Sequence, residues 1–200
     1  MQSWLSVDGD NTFAIDWPHL NEHSIVFEVG AYKGRWAKQI ADKYGCTVYA
    51  FEPQTWAYEE IVKLNNPNIC PLNYGLGVKT ETVMLGEYDT DACSVYTTNS
   101  RKDGYGDFLE AEQAFLSLGL VDRDLDLMMM NIEGYEYDLI PHMIDSGLVL
   151  FFKTICVQWH TFRDETGYKY NKIRSRLSDL GYTLKWSFFP TLECWSRIDG

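Results

Sequence analysis

The chain has 200 residues, of which 46% are hydrophobic, and this content can bury one α/β domain but not two large ones. The net charge of −12 at pH 7 predicts no nucleic-acid partner and no binding to an anionic membrane, and it favours a neutral or cationic substrate. With 7 Trp, 13 Tyr and 10 Phe, the chain has enough aromatic residues that we expect some to line a groove or pocket.

Residues 1–24 are polar and interrupted by glycine and proline, and we interpret them as an N-terminal arm. The arm is either a lid over a ligand or a packing segment, and residues 25–200 form a single domain. No basic region precedes an apolar stretch, so we expect no signal peptide, and no apolar run is long enough to span a membrane. The cysteines are scattered without a C-x-x-C pair, so we expect buried reduced thiols and a cytoplasmic location; they are Cys46, Cys70, Cys93, Cys156 and Cys194.

The segment from Ile25 to Pro53, IVFEVGAYKGRWAKQIADKYGCTVYAFEP, predicts a strand, a glycine turn, a helix and a second strand. Glycines let the backbone approach a ligand closely, and the start of the helix suits a carboxylate or phosphate. Glu52 ends the second strand, where a carboxylate can accept both hydroxyls of a ribose. Tyr32 and Arg35 replace two glycines of the dinucleotide fingerprint, which disfavours a nicotinamide enzyme. The alternative is an ordinary βαβ unit with a structural glycine turn.

The middle of the chain has weaker patterns. In chain order they predict a helix over 54–64, a strand over 69–72, a loop over 73–77, an edge strand over 80–85 and a helix over 108–116. The loop follows a parallel strand, so it would flank the adenine of a nucleotide. The polar stretch 86–106 is long for a connection, and we interpret it as a substrate-facing flap containing Asp91 and Ser94 or as a disordered surface loop.

The last third of the chain completes a parallel sheet. It predicts a doubly buried strand over 125–132, a helix over 135–144 interrupted by Pro141, a strand over 148–159, a helix over 168–180, and strands over 182–188 and 192–198. The final two strands are joined too tightly for a parallel crossover, so they must be antiparallel. The predicted fold is therefore α/β, with a seven-stranded, mostly parallel sheet, helices on both faces and an antiparallel C-terminal hairpin.

Four segments together resemble the FkbM family of methyltransferases that use S-adenosylmethionine (SAM): VFEVGAYKG, VYAFEPQ, NYGLG and LMMMNIEGYEYDLI. In that family a D-x-G-x-x-x-G turn, an FEP strand end, an (A/G)-L-G loop and a K-I-D-x-E-G-x-E strand end occur in this order. The resemblance covers residues 25–160 and implies a Rossmann-like, class I methyltransferase. The chain departs from the pattern at four positions: Glu28 replaces Asp, Tyr32 replaces a common Asn, Asn131 replaces Asp and Met130 replaces a common Lys.

The resemblance implies SAM as the cofactor and O-methylation of a hydroxyl on a small molecule, sugar or glycoconjugate. The cofactor-binding residues that it implies are Glu28, Gly30, Ala31, Tyr32, Gly34, Glu52, Pro53, Tyr74, Gly75, Leu76 and Asn131. Tyr74 has the alternative role of a core aromatic. We expect a small-molecule or carbohydrate acceptor, with a homodimer as a possible assembly.

Three strand-end residues are the candidate catalytic groups, namely Asn131, Glu133 and His160. Either Glu133 or His160 would take the proton from the hydroxyl, and Asn131 would orient the acceptor or hold the methionine amine of SAM. The alternatives are that Glu133 caps the next helix and that His160 is an ordinary half-buried histidine. No metal site is predicted, since Asn131 and Glu133 alone supply too few ligands. The changes at Met130 and Asn131 leave a second hypothesis open, a non-catalytic SAM-binding or scaffold domain.

Overall fold

The computed structural model describes residues 15–96, 103–160, 166–188 and 192–197. Its elements within these ranges are β1 (Ile25–Val29), α1 (Arg35–Tyr44), β2 (Thr47–Phe51), α2 (Thr55–Lys63), β3 (Ile69–Leu72), β4 (Gly75–Gly77), β5 (Glu81–Leu85), β6 (Gly104–Glu110), α3 (Ala111–Leu118), β7 (Leu125–Met130), α4 (Glu136–Asp145), a 3-10 turn (Leu148–Phe151), β8 (Phe152–Gln158), α5 (Thr166–Asp179), β9 (Thr183–Phe188) and β10 (Leu192–Ser196).

Seven strands form the main sheet in the order β3-β2-β1-β7-β8-β10-β9. The strands from β3 to β8 are parallel, whereas β10 runs antiparallel to both β8 and β9. This is the predicted Rossmann-like architecture, and the predicted C-terminal hairpin is confirmed. The strand order reverses between β1 and β7, so a crevice opens there at the carboxyl ends of the strands.

The sheet separates two apolar cores. One core includes buried residues of α1 and α2, such as Trp36 and Ile61, and the other includes buried residues of α3, α4 and α5, such as Phe115 and Leu139. The helices therefore cover both faces, as predicted. The central strand β7 contributes Met128 to one core and Met129 to the other. Both of its faces are therefore buried, which explains why the sequence of β7 is continuously apolar.

A second, three-stranded sheet is present that the sequence pattern did not predict, with the order β4-β6-β5. The predicted loop over 73–77 contains β4, and β5 is an edge strand as predicted. The prediction of a helix from 108 was wrong, because Phe108 lies in β6 and pairs with Glu81 of β5. Helix α3 begins only at Ala111, where the Glu110 side chain accepts a hydrogen bond from the backbone N–H of Gln113.

Two further predicted elements differ near the end of the chain. Helix α4 continues through Pro141, so the predicted interruption is wrong; buried residues on both sides of the proline, including Leu139 and Met143, keep the helix packed. The predicted strand over 148–159 begins with a 3-10 turn after Gly147, whose φ of 79° reverses the chain. Strand β8 therefore starts at Phe152.

The described part of the N-terminal segment packs against the body of the domain. Trp17 and Leu20 are buried in the core beside α1, and the backbone N–H of Trp17 donates to the hydroxyl of Tyr44 at 2.7 Å. Residues 15–24 therefore act as a packing arm, and residues 1–14, on which the lid alternative depends, lie outside the described residues.

Three cysteines are buried free thiols, as expected: Cys46, Cys156 and Cys194. Cys70 is exposed, because it occupies the outward position of edge strand β3, so the prediction that it is buried was wrong. None of the helices in the described ranges combines the length and the hydropathy that a membrane-spanning segment needs.

Candidate functional site

A cavity of about 690 Å³ opens at the carboxyl ends of β2, β1, β7 and β8. Most of the residues predicted for the site line it, namely Glu28, Gly30, Ala31, Tyr32, Glu52, Pro53, Gly75, Leu76, Asn131, Glu133 and His160. They come from five separate chain segments. The fold therefore brings together residues that are more than 130 positions apart in the sequence.

Two residues predicted to bind the cofactor, Gly34 and Tyr74, are not part of the cavity lining. A β-carbon at Gly34 would lie 3.1 Å from side-chain atoms of Ile61 and Leu64, so this glycine lets α1 pack closely on α2. The ring of Tyr74 lies 5.8 Å from that of Phe51, measured between centroids, and packs against the core. These contacts support the alternative role of Tyr74, that of a core aromatic residue.

Gly30 lines the cavity, but its requirement for glycine has a different cause from the one predicted. A β-carbon at this position would lie 2.0 Å from the backbone oxygen of Asn131, and the φ of Gly30 is +86°. The N–H of Gly30 also donates to the oxygen of Phe51. Glycine is needed here because the ends of β1 and β7 meet at this point.

Two buried carboxylates, Glu28 and Glu52, face the cavity on the side of β1 and β2. Glu52 accepts hydrogen bonds from the backbone N–H groups of Tyr32 at 2.7 Å and Gln54 at 2.8 Å. Burial raises the pKa of Glu52 to about 7, although these hydrogen bonds oppose the shift. Burial also raises the pKa of Glu28 well above its ordinary value, and the nearby charge of Glu52 adds to the shift.

The backbone of Tyr32 has a φ of 49°, which is uncommon for an aromatic residue and is better tolerated by Asn. This conformation directs the N–H of Tyr32 at Glu52. The ring packs edge-on against Trp56 with centroids 5.4 Å apart, and the ammonium of Lys33 lies 5.0 Å from the Tyr32 ring. The turn therefore presents a carboxylate and aromatic surface to the same end of the cavity.

At the opposite end, Glu133 and His160 line the cavity and Glu136, which is not part of the lining, contacts His160. His160 Nε2 lies 3.1 Å from a carboxylate oxygen of Glu133, and His160 Nδ1 lies 3.2 Å from one of Glu136. Burial alone would lower the pKa of His160, but the hydrogen bonds and charges of the two glutamates outweigh it and raise the pKa to about 9. The imidazole is therefore a cation at neutral pH.

Glu136 was not predicted as a site residue, although it is the last glutamate of the quoted IEGYEY motif. Its side chain is wholly buried. One oxygen accepts from the backbone N–H of His160 at 2.7 Å, and the other accepts from that of Gly134 at 2.8 Å. Glu136 thus ties the end of β8 to the turn that carries Glu133. The motif spacing was a signal that could have identified it.

The described part of the predicted flap, residues 86–96, borders the same cavity. Asp91, Ala92, Cys93 and Val95 are part of the lining. Ser94 does not line the cavity, but its hydroxyl donates to the backbone oxygen of Glu133 at 2.7 Å. Residues 97–102 lie outside the described ranges, and residues 104–106 belong to β6. The flap is therefore anchored to the turn that carries the candidate base.

Several lining residues were missed because no single motif contains them. Arg35 and Gln39 lie one turn apart on α1, and Gln158 ends β8 two positions before His160. Met129 also lines the cavity, whereas Met130 is wholly buried in the core. The assignment of the lost lysine to Met130 was wrong, because the K-I-D-x-E-G-x-E pattern aligned at Asn131 and Glu133 has its lysine at position 129. The alternation of side chains along β7 explains why only one of these two methionines faces the site.

The sequence model of the methyltransferase FkbM domain family matches residues 28–184 of this chain. An rRNA methylase from Streptococcus thermophilus is similar in structure, with a TM-score of 0.55 and 12% identity over 100% of this chain and 99% of that one. A proposed methyltransferase from Streptococcus mutans, solved in complex with SAH, has a TM-score of 0.56 and 13% identity over 99% of each chain. At these identities the two structures establish the fold alone.

Comparison with proteins of curated function gave no significant match. The family model nevertheless covers most of the chain and includes the glycine turn, the FEP strand end and the strand that carries Asn131 and Glu133. The resemblance read from the sequence motifs is therefore confirmed. The chain belongs to the methyltransferase FkbM domain family, and its family and fold identify it as a methyltransferase that uses SAM.

Proposed function

We propose that the protein transfers a methyl group from SAM to a hydroxyl of a small molecule, sugar or glycoconjugate. The observation that carries this proposal is the position of Glu133 in the cavity wall, paired with a histidine that is already protonated. A hydroxyl is poorly ionised near neutral pH, so its methylation benefits from a positioned base.

The β1–β2 end of the cavity fits the cofactor. Glu52 has lone pairs left after binding two backbone N–H groups, and it is the residue that we propose for the ribose hydroxyls. The Asn131 side-chain oxygen is buried without a hydrogen-bond partner and, with Glu28, can accept from the methionine amine. Bound SAM supplies an electrophilic methyl group on a sulfonium. The protein aligns the acceptor with that methyl, and alignment alone lowers the barrier substantially.

Glu133 is the base that the geometry favours. His160 holds a proton up to about pH 9, so it cannot accept another at neutral pH. The carboxylate of Glu133 binds His160 through one oxygen, and it can take the hydroxyl proton while the imidazolium stabilises its position. His160 is then a positioning residue that is held in turn by Glu136. The contacts of Glu133 also include the flap, because the Ser94 hydroxyl donates to the Glu133 backbone oxygen.

The non-catalytic alternative rests on Asn131 and on Met129, because the family pattern aligned at Asn131 and Glu133 has its lysine at position 129, in the cavity wall. The buried thiols and the negative charge support our proposal of a cytoplasmic protein without a nucleic-acid partner. The rRNA substrate named for the structural relative from Streptococcus thermophilus belongs to that protein.

Calorimetry of SAH binding tests the cofactor assignment. Glu52→Ala should weaken the binding of SAH at least about tenfold, because a hydrogen bond to a charged group contributes roughly 1.5–3 kcal/mol. Glu22→Ala is the control, since that carboxylate is 72% exposed and belongs to no part of the cavity lining. Unchanged affinity in Glu52→Ala would place the ribose elsewhere.

The acceptor chemistry is tested with SAM labelled in its methyl group and a panel of sugars, phenols, amines and carboxylic acids. An O-methyl ether keeps its label in mild alkali, whereas a methyl ester loses it. We expect alkali-stable label on a hydroxylated acceptor. SAH binding with no labelled product from any acceptor would favour the non-catalytic alternative.

A further inference from the structure

The turn after β7 holds the proposed base in an uncommon backbone conformation. Glu133 has a φ of 51°, and Gly134, which follows it, has a φ of 100°. A residue with a side chain rarely adopts a positive φ, because its β-carbon then crowds a backbone carbonyl oxygen. Such a conformation persists only where the surroundings hold it, so the contacts of this turn decide where the Glu133 carboxylate points.

The peptide unit between Glu133 and Gly134 is bound on both of its sides. Its carbonyl oxygen accepts a hydrogen bond from the Ser94 hydroxyl at 2.7 Å, and its N–H donates to the Glu136 carboxylate at 2.8 Å. Because a peptide unit is planar, two hydrogen bonds on opposite sides fix its rotation. Glu136 also contacts Nδ1 of His160, so one carboxylate places both the turn and the imidazole.

The Ser94 side chain is itself held in one orientation. It is 3% exposed, and its oxygen accepts from the backbone N–H of Tyr96 at 3.2 Å, which leaves its single hydrogen for Glu133. The backbone N–H and oxygen of Ser94 pair with Gly86 at 3.2 and 3.0 Å. Ser94 is therefore a fixed donor to the turn.

The flap that carries Ser94 is also bound to the opposite side of the cavity, at the segment that follows β2. The indole nitrogen of Trp56 donates to the backbone oxygen of Tyr88 at 2.9 Å, and the side-chain nitrogen of Gln54 donates to that of Thr90 at 3.3 Å. The flap is thus attached on both sides of the cavity, and it can restrain the turn after β7.

We infer that Ser94 is a positioning residue that, together with Glu136, holds the Glu133 carboxylate against His160. Ser94 does not line the cavity, so it acts through the backbone of Glu133 and not on a ligand. Without its hydroxyl, the turn loses one of its two restraints, and the carboxylate is no longer kept 3.1 Å from Nε2 of His160. The inference rests on the proposed function, because Glu133 is the base proposed there.

An NMR titration of the His160 ring in the ligand-free protein tests the inference. Glu133 contributes to the raised pKa of His160, about 9, so this pKa reports where the Glu133 carboxylate lies. Glu133→Gln removes the charge and should lower the pKa by about 1–3. Ser94→Ala keeps the charge but loosens its position, and it should lower the pKa by at least about 0.5. The chain has 4 histidines, and His160→Gln identifies the signal by its loss.

Ser146→Ala is the matched control. The Ser146 hydroxyl also donates to a backbone oxygen, that of His142 at 3.0 Å, but Ser146 does not line the cavity, so this variant should leave the pKa of His160 as in the parent. Ser94→Cys keeps a side chain of similar size with only a weak S–H donor, and it should lower the pKa as Ser94→Ala does. Thermal unfolding checks that each variant is folded. A loss of stability alone does not move the pKa of the folded imidazole.

The inference is overturned if His160 titrates in both Ser94 variants as it does in the parent, or if Ser146→Ala lowers its pKa as much as Ser94→Ala. A Glu133→Gln variant with the parent pKa would also overturn it, since the carboxylate would then not reach the imidazole. A failure of the proposed function is distinguishable, because it appears as the absence of labelled product in the acceptor panel, and the titration requires no acceptor.

Discussion

Two pairs of acidic side chains lie at the two ends of the cavity, with Glu136 buried outside its lining, and the pairs differ in what neutralises them. Glu28 and Glu52 accept backbone N–H groups, Glu52 also accepts from the side chain of Gln54, and burial raises both pKa values. Glu133 and Glu136 hold a protonated histidine between them. The first pair is incomplete until a ligand supplies donors, whereas the second is neutralised within the protein. The comparison indicates that the end with Glu28 and Glu52 binds the ligand, whereas the end with Glu133 and Glu136 holds the candidate base in a fixed position.

The largest effect should come from Glu133→Gln. Removing a general base costs about 10²–10⁴-fold in rate, and SAH affinity should remain close to that of the parent because Glu133 is at the opposite end from Glu52. Single-turnover rates on a confirmed acceptor, with calorimetry of SAH, provide the measurement. A variant with the full rate would show that alignment alone drives the transfer, or that a flap residue such as Asp91 takes the proton.

The second pair, Glu133 and Glu136, should contribute strongly to the stability of the folded protein. Glu136→Ala removes one of the two glutamates that contact the His160 cation and the carboxylate that binds the backbone N–H groups of Gly134 and His160, so the free energy of unfolding should fall by about 3–5 kcal/mol. Asp145→Ala on the same helix is the control, because its carboxylate is 70% exposed and pairs with Arg176, and such a surface pair contributes less than about 1 kcal/mol. Urea unfolding curves compare the two. Equal losses would mean that the buried triad contributes no more than a surface pair.

The pH dependence separates the two pairs. The His160 pKa of about 9 lies above that of an unfolded histidine, so the folded protein binds the extra proton between the two values. This stabilisation is complete below about pH 6.5 and is lost as the pH rises through 9, a decline of about 3 kcal/mol. The raised pKa of Glu52, about 7, gives its own decline at lower pH, between about 4.5 and 7.

Urea unfolding between pH 7.5 and 9.5 therefore reports His160. The decline in this window should be absent in His160→Gln. If the parent is equally stable at both ends of the window, the imidazole is not held as a cation.

The smallest effect concerns the first pair. Glu28 accepts a single backbone N–H, from Ala37, which the oxygen of a glutamine can replace. In the ligand-free protein at pH 8, Glu28→Gln should raise the free energy of unfolding by roughly 1 kcal/mol, because the raised pKa of Glu28 destabilises the folded protein above the ordinary pKa of a glutamate and a glutamine does not titrate. Glu136→Gln should have the opposite sign. A destabilised Glu28→Gln would mean that the first pair is neutralised in a way that the contacts around it do not explain.

Motifs that are local in the sequence predicted much of this protein. The turn from Glu28 to Gly34 and the strand end at Glu52 lie within one βαβ unit, so their proximity follows from chain connectivity and strand periodicity. The antiparallel hairpin followed from the length of its connection, and the family followed from four short segments in order.

Tertiary packing decided the rest. Gly30 is required by the Asn131 backbone, which is 101 positions away, and Met129 rather than Met130 faces the cavity because of the register between β1 and β7. Phe108 reads as helical in the sequence, yet pairing with β5 places it in a strand. The His160 pKa depends on two glutamates more than 20 positions away, and Trp36 of α1 and Gln158 of β8 line the same cavity only in the folded chain. Such features depend on long-range contacts and burial, which local periodicity does not encode.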